Sequence, residues 1–104
     1  MAGVTWQPGA LQDIDGIAQR IAADSPRFAK LQVERFFVAA AVLNEHPLVG
    51  HFVPELKNAR LREVHVGRYR IIYNVNGRDV DLLAVVHMKR DLPKSLLRSR
   101  SKRL

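Results

Sequence analysis

The chain has 104 residues, a length suited to one small domain, and 47% of them are apolar, enough to bury a core. It contains no cysteine, which excludes disulfides and thiolate zinc sites. The net charge of +7 is unevenly placed: residues 89–104 carry seven basic side chains against Asp91 alone, and the rest is close to neutral.

In chain order, Val4-Thr5-Trp6 is a short β-prone run that reads as an edge or added strand. From Pro8 to Asp24 the apolar residues Leu11, Ile14, Ile17, Ala18 and Ile21 recur at spacings of three and four, which predicts an amphipathic helix. Pro8 suits the first turn of that helix. Ser25-Pro26 marks a boundary, because the residue before proline avoids the α region. The same pair opens a second helix, with Ser25 as N-cap and Pro26 at the first helical position. That helix runs to about Glu45, with Phe28, Leu31, Phe36, Phe37, Ala40, Ala41 and Leu43 as its apolar surface, and Phe36 and Phe37 are expected in the core. Two helices with almost no linker form an antiparallel hairpin. Residues 47–59 read as one loop, broken by Pro47, Gly50 and Pro54 and anchored by Leu48, Val49, Phe52 and Leu56.

Residues 61–92 read as three consecutive antiparallel strands. Asn76-Gly77 between alternating runs predicts a type I′ hairpin turn, and Gly67-Arg68 a glycine-first type II′ turn. Two-residue loops then place Val75 opposite Arg78, Tyr73 opposite Val80, Ile71 opposite Leu82, Val66 opposite Tyr69 and Val64 opposite Ile71. Strict alternation assigns Val64, Val66, Tyr69, Ile71, Tyr73, Val80, Leu82, Ala84 and Val86 to a core face that the helical hairpin covers. The other face displays Glu63, His65, Arg70, Asn74, Asp81 and His87, with Ile72, Leu83 and Val85 among them. Pro93 opens a short last helix from Lys94 to about Arg98, and the tail 99–104 is expected to fray. The fold class is therefore α+β: a small, mostly antiparallel sheet covered on one face by an N-terminal α-hairpin, with a short C-terminal helix, in one domain over 1–104.

No apolar run approaches the ~18–20 residues that span a bilayer. The N-terminus lacks the basic-then-apolar pattern of a signal peptide. A cytoplasmic protein with no membrane partner is expected. The four histidines show no metal-ligand spacing, and no phosphate-binding glycine loop or serine elbow is present, so no metal or cofactor is expected. One set of groups could do chemistry: His65, Arg68, Arg70, His87, Lys89 and Arg90. Guanidinium groups stabilise charge growing on a phosphate, and a histidine can move a proton, which is what metal-free RNA cleavage requires. Equally, exposed strand positions are often charged, and Arg70 can simply pair with Asp81 or Glu63. The basic end suits an acidic partner, nucleic acid or protein.

The whole length resembles the RelE/ParE family of bacterial toxins. The resemblance starts at Trp6, Pro8, Ala10, Leu11, Asp13, Ile14 and Ile17 and continues at His46, Pro47 and Gly50. It then covers the stretch Leu61 to Tyr73 and closes on Val85, His87, Arg90, Asp91 and Leu92. It implies a small sheet with a helical hairpin on one face, and a cognate antitoxin whose arm wraps the toxin as a hetero-oligomer. RelE-like members cut mRNA on the ribosome, whereas ParE-like members block DNA gyrase. For a RelE-like ribonuclease the implied catalytic residues are Arg70 and Arg90, with His65 or His87. The RelE tyrosine of the C-terminal segment falls on Leu96, and only Lys57 offers itself for the upstream lysines. The opening and closing motifs look more like ParE, for which Arg68, Lys89, Arg90, Lys94, Arg98 and Arg100 form the target-contacting, basic surface.

Overall fold

The computed structural model describes residues 3–56, 60–90, 92 and 94–101. Strand β1 (Val4–Trp6) leads into α1 (Pro8–Asp24) and α2 (Pro26–Glu45). Then follow β2 (His51–Phe52), β3 (Leu61–Val66), β4 (Tyr69–Asn76), β5 (Asp79–His87) and α3 (Lys94–Ser101). Both long helices start where a proline fits the first turn, and Ser25 Oγ accepts the Phe28 N–H at 3.2 Å as the N-cap of α2. The sheet order is β1-β5-β4-β3-β2, antiparallel except for the parallel edge pair β1–β5. The loop expected over 47–59 contains the two-residue strand β2, which pairs with Glu63 and Arg62 of β3.

The β3–β4 register is the expected one, with Val66 opposite Tyr69 and Val64 opposite Ile71. Gly67 takes φ +60 there, as the first position of a glycine-first turn. The second hairpin differs. Asn76 pairs with Asp79, so the loop is Gly77-Arg78, again glycine first, with φ +63 at Gly77. Moving the turn by one residue shifts each partner by two and leaves the faces unchanged as far as Leu82, which lies opposite Tyr73.

Beyond Leu82 the expectation fails. Tyr73 pairs with Leu82 but Ile72 pairs with Ala84, so Leu83 is an extra residue, a β-bulge. The bulge inverts the alternation of the rest of β5. Val85 turns to the helical side, opposite Ile71, and Ala84 and Val86 turn away. Residues 82–86 are all apolar, so the run carried no parity that could reveal the inversion.

The sheet is consequently buried on both faces. On one, Ala10, Ile14 and Ile17 of α1 and Phe36, Ala40 and Leu43 of α2 pack on Ile71, Tyr73, Val80, Leu82 and Val85. On the other, Val53, Leu92 and Leu97 cover Leu61, Ile72, Leu83, Ala84 and Val86. The expected loop anchors Leu48, Val49 and Phe52 are exposed, and Val53 takes their place. Phe36 is in the core, but Phe37 is half exposed and lies edge-on to Trp6. Helix α3 continues past Arg98 through the first residues of the expected frayed tail; residues 102–104 lie outside those described.

Strand β1 ends at Trp6, and the outer edge of β5 beyond that point is satisfied by side chains. Asp13 Oδ2 accepts the Val85 N–H at 3.0 Å, and Arg100 Nη1 donates to the Leu83 carbonyl at 2.8 Å. Arg100 and Asp13 also pair with each other at 2.8 Å, which ties α3 to α1 across the bulge. Asp13→Ala strips the partner from a partly buried amide and from Arg100. The expected cost is about 1–3 kcal/mol in chemical denaturation, and Asp13→Asn should recover part of it.

Candidate functional site

The polar end of the second face is built on Arg70. It emerges from β4 opposite His65 and is only 7% exposed. Glu63, two residues back along β3, is 2% exposed. Arg70 Nε donates to Glu63 Oε2 at 3.1 Å and Nη2 to Glu63 Oε1 at 2.7 Å. From the loop after β2, Glu55 closes the other side, accepting from Nη1 at 2.8 Å and Nη2 at 2.7 Å. One guanidinium thus makes two bidentate pairs. Hydrogen bonding to Glu55 and Glu63 raises the Arg70 pKa further above its ordinary value, against the desolvation that lowers it. The Arg70 hydrogen bonds hold the Glu55 carboxyl below the usual glutamate range. Glu55 Oε2 also accepts the Leu92 N–H at 3.4 Å, so the cluster joins two strands, a loop and the segment after β5. The same loop is held further up by Tyr73, whose buried Oη accepts the Gly50 N–H at 2.9 Å.

Of the two partners the sequence suggested for Arg70, the structure selects Glu63; Asp81 instead accepts from Gln7 Nε2 at 3.4 Å. Glu55 had no signal in the sequence, because its approach depends on how a loop folds back. Nor did the spacing of the histidines reveal that His51 and His65 converge on one carboxylate. His65 Nε2 lies 2.7 Å from Glu63 Oε2, and His51 Nε2 lies 3.5 Å from the same oxygen.

The bulge separates the other candidates from this cluster. His87, expected on the same face as Arg70, is on the helical side, opposite Tyr69 and edge-on to its ring. Arg90 follows on an exposed turn closed by its own N–H to the His87 carbonyl at 3.0 Å. His87 and Arg90 line a recess of about 440 Å³ against α1, with Arg20 on its far wall. Arg68 and Lys89 are exposed and border a second recess of about 620 Å³ across the β3–β4 turn. Arg98 is exposed on α3, while Arg100 is committed to Asp13 and Leu83. The Lys94 side chain and Lys57 lie outside the described residues. So Arg68, Lys89, Arg90 and His87 gather at the end of the sheet that carries the β3–β4 turn; Arg70 and His65 lie at the same end but on the opposite face, turned toward different partners.

One further surface stands out. Phe28, Leu31, Val38 and Val42 of α2 are exposed, Phe28 and Val38 at 63% and 65%. Their spacing of three, seven and four residues places them along one side of the helix. Between α1 and α2 runs an apolar groove of about 450 Å³, floored by Ala18, Ala22, Ala29 and Val33.

The cluster predicts how stability responds to substitution and pH. Arg70→Ala leaves two carboxylates partly buried without their cation, and a loss of about 3–5 kcal/mol is expected in urea denaturation. Glu55 has a lowered folded pKa, so its contribution is present above the ordinary glutamate value and drains as pH falls through the folded value. Glu55→Gln should therefore be less stable than the parent at pH 7, and the difference should shrink as the medium is acidified.

Two comparisons with known proteins bear on this geometry, and a third, with curated proteins, finds no match. Among solved structures the fold is similar to a chain of the chromosomal ParDE TA system from P. aeruginosa, with a TM-score of 0.71 at 17% sequence identity. That match covers 86% of this chain and 98% of the other. The sequence model for the ParE toxin of the type II toxin–antitoxin system parDE matches residues 4–92, from β1 through the segment held by Glu55. Coverage of that extent, on a fold of this kind, makes the chain a member of the ParE toxin family of type II toxin–antitoxin systems.

Proposed function

We propose that the protein is a cytoplasmic, growth-inhibiting toxin that blocks DNA gyrase by binding it, without catalysing a reaction, and that a cognate antitoxin neutralises it. The observation that carries this reading is the state of Arg70. In a ribonuclease this guanidinium would face a phosphodiester; here four of its hydrogen bonds go to Glu55 and Glu63. A group so engaged supports structure, and the exposed basic rim is left for the target. Arg68, Lys89 and Arg90 at the end of the sheet supply that rim, and Arg100 holds α3 in place. Among the described residues no helix is long and apolar enough to cross a membrane.

The second reading, ribosome-dependent mRNA cleavage, draws on one observation: His87 and Arg90 share a recess with Arg20. Purified toxin separates the two. A supercoiling assay with gyrase should show inhibition, and an mRNA on programmed ribosomes should stay intact. Arg90→Ala and Lys89→Ala should each weaken gyrase inhibition, by up to about 2 kcal/mol or roughly 30-fold where the side chain is a central contact. Removing α3 is a poorer test, because Leu97 belongs to the second core. Codon-positioned mRNA cleavage that Arg90→Ala abolishes would establish the ribonuclease instead.

We assign antitoxin binding to the outward side of α2. The exposed stripe on α2 and the groove beside it fit the apolar face of a partner helix, and the net charge of +7 favours an acidic one. A nanomolar complex corresponds to ~12 kcal/mol of binding free energy. Val38→Asp should weaken it by at least about 2 kcal/mol in calorimetry, with the toxin's own melting temperature unchanged. Binding unaffected by Val38→Asp and by Phe28→Asp would remove α2 from the interface.

A further inference from the structure

We propose that His51, Glu63 and His65 form a binding site for a divalent transition-metal cation of the zinc, cobalt or nickel type. The site would staple the β2 loop to the sheet. The residues come from two neighbouring strands. Glu63 and His65 are two apart on β3 and share a face, and His51 is the β2 residue paired with Glu63. Their potential ligand atoms, two imidazole nitrogens and one carboxylate oxygen, all lie within 4.8 Å of one another. The rings stand nearly perpendicular, at 86°, with centroids 4.9 Å apart.

Tetrahedral bonds of about 2.0–2.2 Å place ligand atoms roughly 3.3–3.6 Å apart. The His51–Glu63 separation of 3.5 Å already meets this. His65 stands closer, at 2.7 Å, and its side chain is 41% exposed, so it can retreat by the fraction of an ångström required. Two imidazoles and a carboxylate are a donor set for borderline cations, and solvent at the exposed histidines leaves a fourth position for water.

Charge and orientation favour the same assignment. Arg70 lies between two carboxylates, so Glu55 and Glu63 together exceed it by one negative charge. The excess is shared by the two glutamates, of which Glu63 is almost wholly out of water. Arg70 holds both Glu63 oxygens, Nη2 on Oε1 and Nε on Oε2, and so fixes the carboxylate with the remaining lone pair of Oε2 open to the histidines, as outer-shell partners fix metal-binding carboxylates. Strand β2 has only two residues and a single strand neighbour, so a cation bridging His51 to β3 would add to the ties that Arg62 and Tyr73 already make to Gly50.

The test uses the full chain freed of any affinity tag, titrated with Zn²⁺ or Co²⁺ alone. One equivalent should bind, raise the melting temperature and slow amide exchange at His51 and Phe52, and Co²⁺ should give the visible bands of a low-coordinate site. His51→Ala and His65→Ala alter exposed side chains and should keep the fold. Each should weaken binding by more than the ~10–100-fold that losing an outer-shell partner costs. His46→Ala, away from the site, should bind as the parent does. Binding only at millimolar metal, or equal binding by the parent and both histidine variants, overturns the site and leaves a hydrogen-bonded His–Glu–His group.

Discussion

A single extra residue in β5 sets the constraint on which much of this molecule depends. At Leu83 the strand gains one residue relative to β4, and every side chain after it changes face. Val85 completes the core under the helices, while Ala84 and Val86 help build a second one under α3. The sheet therefore has no open face at its centre. The bulge also moves His87 from the side of Arg70 to the side of α1. The backbone groups at this edge are not left bare, because Asp13 and Arg100 reach them from the two flanking helices. An acid in the first half of the chain and an arginine near its end are thus joined through one irregularity in a strand.

The second constraint is electrostatic. Burying a lone guanidinium is prohibitive, and two carboxylates without a cation are little better. Arg70, Glu55 and Glu63 solve both problems together, and they do so where β3, β4, the β2 loop and residue 92 meet. A hydrophobic replacement of the same volume could be equally stable, so the cluster is better understood as fixing how the loop and the chain end dock. The same carboxylate that receives Arg70 on one side meets two imidazoles on the other. This location makes Glu63 a hinge between the structural cluster and the solvent-facing histidines.

These constraints divide the surface. Helix α2 buries one side on the sheet and leaves Phe28, Leu31, Val38 and Val42 outside, a stripe with the dimensions of a helix-docking seam. The basic rim lies around the β3–β4 turn and the turn after β5, at the sheet end where Phe36 of α2 meets Tyr69.

Much of the architecture was legible in the sequence. Proline and serine at the helix starts, the glycine-first turn at Gly67 and helical spacing act within a few residues, so the two long helices, the β3–β4 register and the α+β class followed from local chemistry. The order of motifs from Trp6 to Leu92 likewise pointed to the family. What the sequence left undecided depended on distant contacts. The apolar run 82–86 fits either parity, so only packing against both layers could place the bulge. Helical spacing marks α2 as apolar but not which apolar residues stay outside. Glu55 lies 15 positions from Arg70 in a loop without regular structure, and its reach is set by Val53 entering the second core. Charge type and family were written along the chain; which charges are free, which are clamped and which converge was decided only when the sheet closed between its two layers.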